Sequence, residues 1–138
     1  MGAGWGDLEL ASVVTRETRQ RQAIRRVIDA AERPLSPQEV LEAAQGEVPG
    51  LGMATVYRTI RSLTDEGWLV AVDVLGRPPH YERAGKEHHH HFHCRGCEKL
   101  FEVEGCPGNL KGLAPPGFRV EGHELTLYGV CPECRVGA

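Results

Sequence analysis

Two cysteine pairs, Cys94-x-x-Cys97 and Cys131-x-x-Cys134, lie 33 residues apart. Each lets two thiolates converge on one tetrahedral ion, and two such turns close a four-sulfur shell that suits structural zinc. A redox-active dithiol is the competing reading, but such dithiols lie near a βαβ pattern that this sequence lacks. A closed sulfur shell offers no open coordination position, so the zinc is expected to hold the fold and not to perform chemistry. Cys106, between Gly105 and Pro107, has no CxxC partner and reads as a plain thiol.

Directly before the first pair runs His88-His89-His90-His91-Phe92-His93. On an extended chain alternate side chains point to opposite faces, so His89 and His91 can serve one ion while His88 and His90 serve another. Glu82 is the candidate to join His89 and His91, and a site built from those three would tie the two halves of the chain together. An ion that binds only when the halves are correctly oriented stabilises that orientation, which is what a sensor needs. For the second ion, His123 and an acid, Glu102 or Glu104, are the candidates to join His88 and His90. His123 reads equally well as a hydrogen-bonded strand histidine.

These donors need elements to hold them. The chain has 138 residues and a net charge of −3, enough for one ordinary domain or two small ones, each with a modest core. A small half then depends on metal or on a partner subunit. The charge rules out a uniformly basic nucleic-acid binder but not a local basic face. The longest apolar run, Trp68–Val72, is far too short to span a bilayer, and the start of the chain lacks the regions of a signal peptide. A cytoplasmic protein with no membrane partner is expected, and in that reducing compartment close cysteine pairs read as metal ligands.

Residues 1–14 carry three glycines and read as a loose lead-in or a marginal first helix. From Thr18 onward Ile24, Val27, Ile28 and Ala31 recur at helical spacing, up to Pro34. Ser36, Pro37 and Glu39 read as the N-cap, first-turn proline and capping box of a second helix that stops at Gly46. A third helix, Ala54 to Glu66, has Val56, Ile60 and Leu63 on one face and Gly67 at its C-cap. Strand, turn and strand follow at Trp68–Asp73, Leu75–Pro79 and His80–Arg83. This order predicts a winged helix-turn-helix over residues 1–83, a hinge at 84–87 and a small unit over 88–138. In that unit Lys99–Val103, Phe118–Gly122 and Leu125–Val130 read as short strands, with one brief helix around Asn109–Leu113.

Between residues 15 and 26 stand five arginines, Arg16, Arg19, Arg21, Arg25 and Arg26, against one acid, Glu17. Such a cluster neutralises phosphates and makes binding salt dependent, although a solvated helix face is the plain alternative. The exposed side of the third helix carries Thr55, Tyr57, Arg58 and Arg61 after a glycine turn. That chemistry suits a major groove, with Arg58 reaching guanine and Tyr57 touching thymine methyls.

The segment Gly52-Met53-Ala54-Thr55-Val56-Tyr57-Arg58-Thr59-Ile60, the histidine run before Cys94, and Leu125-x-Leu127-Tyr128-Gly129-x-Cys131 resemble the ferric uptake regulator family from about Thr15 to Cys134. The resemblance implies an α+β chain, an N-terminal winged helix-turn-helix followed by a small α/β dimerisation domain with a four-cysteine zinc site. It implies a homodimeric repressor of metal-uptake or metal-homeostasis genes, binding a double-stranded inverted-repeat operator when its regulatory metal is loaded. By matching positions, Tyr57 and Arg58 fall on the recognition helix and Arg16 and Arg21 approach the DNA backbone or minor groove. Cys94, Cys97, Cys131 and Cys134 match structural zinc ligands, Glu82, His89 and His91 match hinge sensor ligands, and His88, His90 and His123 match an additional site. Pro34 and Ala84 stand where iron-type and zinc-type members place a ligand, so the fourth hinge ligand falls to Asp73, His80 or Glu102. The acid of the additional site is replaced near Asn109. A histidine-rich shell favours zinc as effector, with iron, manganese or an iron-based peroxide sensor as alternatives.

Two readings from other classes complete the expectations. An enzyme using the histidine cluster would need an open metal position with Glu82 or Glu102 as acid/base partner. No nucleophile motif or phosphate loop accompanies it, so neither an enzymatic activity nor a small-molecule substrate is expected. A metal-buffering or protein-binding zinc module is the other.

Overall fold

A computed structural model of the chain describes residues 5–108 and 110–136. Three helices come first: α1 (Trp5–Ala30), α2 (Pro37–Gln45) and α3 (Met53–Asp65). No glycine or proline falls between Asp7 and Arg33, so nothing in the backbone interrupts α1. Of the two readings of residues 1–14, a loose lead-in or a first helix, residues 5–14 take the helix, while residues 1–4 lie outside the described residues. At α2 the Ser36 hydroxyl accepts from the Glu39 N–H at 3.2 Å and the Glu39 carboxylate accepts from the Ser36 N–H at 3.1 Å. This reciprocal cap, worth about 1 kcal/mol, is the one expected from the sequence. Gly67, at φ +81°, takes the left-handed turn that ends α3.

The chain then folds back as an antiparallel hairpin, β1 (Leu69–Val74) and β2 (Arg77–Arg83), in the register Leu69↔Arg83 and Val72↔His80. The turn is tighter than expected, centred on Leu75-Gly76 with Gly76 at φ +74°. Pro78 and Pro79 therefore belong to β2, where a two-stranded sheet leaves edge positions that need no N–H. Leu35 and Tyr81 exchange backbone hydrogen bonds of 2.9 and 2.8 Å, which fastens the hairpin to the helices. Ile24, Ile28, Leu35, Val40, Ala44, Leu51, Val56, Ile60, Leu63 and Leu69 form the core. Three helices and a packed hairpin make the winged helix.

A second sheet holds β3 (His90–Cys94), β4 (Leu100–Val103) and β5 (Thr126–Gly129) in the order β4-β3-β5. β3 runs antiparallel to β4 and parallel to β5. A short helix, α4 (Pro132–Val136), follows. Residues 118–122 form no strand: Phe118 is 72% exposed and no strand lies alongside to take its backbone groups. The brief helix is a 3-10 turn at Lys111–Leu113, and Asn109 lies outside the described residues. Among the described residues, the hydrophobic cluster and its packed flanks draw nothing from beyond Tyr81. The second half is thus short of apolar core, and what its strands bring together instead is cysteine and histidine. Among the described residues no helix is long and apolar enough to cross a membrane.

Candidate metal centres and nucleic-acid face

The four sulfurs of Cys94, Cys97, Cys131 and Cys134 lie within 4.8 Å of one another. Cys94 ends β3, Cys131 follows β5, and the β3–β5 pairing brings the two CxxC turns to the same end of the sheet. The Cys97 and Cys131 sulfurs are 3.9 Å apart, close to the S···S edge of about 3.8 Å that a tetrahedral zinc with Zn–S near 2.3 Å requires. The N–H groups of Gly96, Cys97 and Cys131 donate to the Cys94 sulfur at 3.3, 3.5 and 3.3 Å. Those of Cys97 and Cys131 do most to lower the Cys94 pKa to about 6. The neighbouring sulfurs of Cys94 and Cys131 push Cys134 up to about 12, since unpaired thiolates at this distance repel. A cation is what lets all four ionise together. Space is tight: a Cβ on Gly96 would stand 2.8 Å from the Cys134 sulfur.

A second group holds Glu82, His89, His91 and Glu102. Glu82 nearly ends β2 and is 4% exposed, and its carboxylate lies 2.7 Å from His89 Nε2 and 3.4 Å from His91 Nε2. The register His91↔Glu102 puts Glu102 on the same face, 3.6 Å from His89 Nε2. Burial alone would raise the Glu82 pKa, but hydrogen bonds from His91, Glu102 and His89 hold it down to about 2. Burial likewise opposes the charge on His89, yet the Glu87 carbonyl at 2.7 Å and the two carboxylates keep its pKa raised. Two imidazoles and two carboxylates fit a divalent cation of zinc, iron or manganese type. Asp73, on the hairpin, is not among these donors.

Sequence reasoning missed the side chain that lies across this group. Lys86 places its ammonium 2.9 Å from Glu102 and 3.4 Å from Glu82. Burial works against its charge, but the Glu102 and Glu82 carboxylates hold its pKa above the ordinary value. The ammonium thus competes for the carboxylates that a divalent ion would use. Lys86→Met is expected to tighten zinc binding at this group about tenfold, one partly screened unit charge at close range. Competition titration against a chelating dye measures it, and unchanged or weaker affinity would show that Lys86 does not compete.

A third group holds His88, His90, His123 and Cys106. Glu104, the acid expected there, is absent from it. It lies just past the end of β4 and lines a groove with Glu102 and Lys86, whereas His90, paired with Val103, faces away from Glu102. Cys106, read from sequence as a plain thiol, stands in the acid's place. His80 is also apart from the metal-type groups. Two residues before Glu82 on β2, it is buried 3.9 Å from Glu39 and edge-on to His93. Desolvation, reinforced by His93, lowers its pKa.

The basic face has fewer free charges than the composition implies. Arg21 pairs with Glu66 at 2.6 Å and donates to Ser62 at 3.1 Å, tying α1 to the end of α3. Arg26 pairs with Glu47 at 2.5 Å, and Arg25 lies over Trp68 at 4.7 Å. Arg16 and Arg19 have no ion-pair partner among the described residues, and both line a groove with Thr55, Arg58 and Thr59 of α3. Arg58 donates to Thr55 at 3.1 Å, and Tyr57 is 53% exposed, too open for a core tyrosine. The arrangement offers a helix face with two flanking arginines to a polyanion.

The "Ferric uptake regulator family" matches residues 12–128. The ferric uptake regulation protein of Campylobacter jejuni is 31% identical over 122 residues, covering 85% of this chain and 78% of the relative. The zinc uptake regulation protein of Mycobacterium tuberculosis is 29% identical over 129 residues, covering 91% and 99%. Among solved structures, a zinc-bound manganese uptake regulator superposes with a TM-score of 0.71 at 25% identity, over 88% of this chain and 98% of that one. Taken with the winged helix and its metal-type clusters, a match that runs through both halves means that this chain belongs to the ferric uptake regulator family of metal-responsive transcriptional regulators.

Proposed function

We propose that this protein is a cytoplasmic, metal-dependent repressor of metal-uptake or metal-homeostasis genes that binds an inverted-repeat operator as a homodimer. The family is one of transcriptional regulators, so the enzyme reading of the histidines falls away. In this reading residues 1–83 are the DNA-reading head, 84–87 the hinge and 88–138 the dimerisation unit, in which Cys94, Cys97, Cys131 and Cys134 hold structural zinc. Arg16, Thr55, Tyr57 and Arg58 meet the DNA, while Arg21 braces α1 against α3. His88, His90 and His123 form a further metal site. The exposed apolar side chains Leu113, Phe118 and Leu127 of the second half support pairing with a second copy.

One observation carries the proposal. Glu82 belongs to the hairpin that packs on the helices, whereas His91 and Glu102 belong to the second sheet and His89 directly precedes it, all beyond Ala84-Gly85. When bound there, a divalent cation supplies a link between the two halves, and its affinity difference between orientations sets which one prevails. The two imidazoles favour zinc as effector. The two carboxylates, harder donors, favour iron or manganese as the second reading.

Gel-shift titration with a palindromic promoter fragment tests it, with zinc, ferrous iron or manganese buffered at cytosolic free levels, against a chelator that removes only exchangeable metal. One ion is expected to tighten operator binding at least about tenfold, and Arg58→Ala to weaken the loaded complex by about 1–3 kcal/mol. Equal binding by the stripped protein, or binding as a monomer, would overturn the proposal.

A further inference from the structure

We propose that Cys106 is a metal ligand, and that with His88, His90 and His123 it makes a three-imidazole, one-thiolate tetrahedral site that takes zinc and rejects manganese. The inference deepens the reading of this group as a metal site and rests on it. His123 Nε2 lies 3.1 Å from His88 Nε2 and 3.2 Å from His90 Nε2. The Cys106 sulfur lies 3.3, 3.4 and 3.6 Å from the Nε2 atoms of His90, His123 and His88. A tetrahedral zinc with Zn–N near 2.05 Å and Zn–S near 2.3 Å requires N···N edges of about 3.3 Å and N···S edges of about 3.6 Å. All five separations fall within a few tenths of an ångström of these values.

The surroundings select the thiolate. Glu102 is held by Lys86 on the opposite face, and Glu104 lines a groove with those two residues. Among the described residues no carboxylate joins the three imidazoles. His90, fully buried, has no partner at Nδ1 and turns its Nε2 toward the sulfur. Four donors, one of them soft, suit a tetrahedral ion of borderline softness. Manganese, which prefers six hard oxygen-rich ligands, is poorly served. On metallation the Cys106 thiol gives its proton to solvent and its sulfur lone pair to the ion, with no redox step.

Cobalt(II) reads the donor set directly. Protein whose four-cysteine site is filled with zinc, kept anaerobic and reduced, is titrated with cobalt chloride. The hinge group contains no sulfur, so a new near-ultraviolet thiolate-to-cobalt band, with intense tetrahedral visible bands, reports Cys106. In Cys106→Ser that band is expected to vanish, and Cys106→Glu should raise affinity for manganese relative to zinc by at least about tenfold. A band that survives in Cys106→Ser overturns the assignment. So does cobalt that binds the wild type without any such band but is lost in His90→Ala, a result that keeps the metal site and removes its sulfur. Cobalt stoichiometry unchanged by both His90→Ala and His123→Ala removes the metal site itself.

Discussion

Replacing Cys131 with alanine is expected to unfold the second half of the molecule while the helical half stays folded. The hydrophobic cluster centres on the three helices and β1 and draws nothing from beyond Tyr81 among the described residues. The three strands of the second sheet are four or five residues each, too short to be stable without a packed face. What joins β3 to the segment after β5, besides their pairing, is the sulfur cluster, where Cys131 is 5% exposed and its N–H donates to the Cys94 sulfur. Structural zinc in a four-ligand shell supplies about 10–16 kcal/mol, as much as the whole stability of a typical domain at about 5–15 kcal/mol. Losing one thiolate therefore decides whether this half folds. The expected result is one zinc fewer per chain, amide exchange protection lost across β3, β4 and β5, and protection retained at Val56, Ile60 and Leu63 of α3. A variant that keeps its zinc and its protection pattern would mean that the sulfurs are not what holds the sheet.

What the sequence makes legible follows the range of the forces involved. The Ser36 capping box, the Val56/Ile60/Leu63 face and the left-handed turn at Gly67 are local, decided within a few residues, and each is where the pattern places it. The sorting of the histidines is also local: alternation alone sends His89 and His91 to one group and His88 and His90 to another. The partners that complete those groups depend on register. That His91 faces Glu102 and His90 faces Val103 is fixed by the β3–β4 pairing, while Glu104, past the end of β4, is placed beside Glu102 and Lys86 only by the fold. Cys106 and His123 then arrive on loops, for which no periodic signal exists. The strand read at 118–122 fails for a related reason: its residues suit extended backbone, but no neighbour comes alongside. Charge is legible as composition and not as availability. Five arginines between residues 16 and 26 are plain in the sequence, whereas the commitment of Arg21, Arg25 and Arg26 to Glu66, Trp68 and Glu47 requires the fold.

Glu82→Gln is expected to uncouple metal from DNA without unfolding either half. Glu82 is the donor that the hairpin side contributes to the hinge group, and at 4% exposure it has little water to replace a lost contact. With its pKa held near 2 it is anionic throughout the physiological range. Protons therefore compete with metal at His89, whose pKa is raised, and not at this carboxylate. Glutamine keeps the shape and can still hydrogen-bond His89, so the fold and the four-cysteine zinc should be retained, but it brings no charge. Disturbing even the outer contacts of a metal ligand costs about 10–100-fold in affinity, so removing a charged ligand should cost at least about 100-fold. Glu102→Gln provides the contrast. That carboxylate is 21% exposed and lies on the same sheet as His91, so its loss weakens metal binding but leaves the link to the hairpin. If the hinge works as proposed, Glu82→Gln lowers metal-loaded operator affinity to the metal-free level, while Glu102→Gln shifts the metal titration and still reaches the same saturated affinity. Equal behaviour of the two variants would mean that the ion does not act by joining the halves. A Glu82→Gln protein that answers to metal at wild-type concentrations would place the sensor elsewhere in the chain.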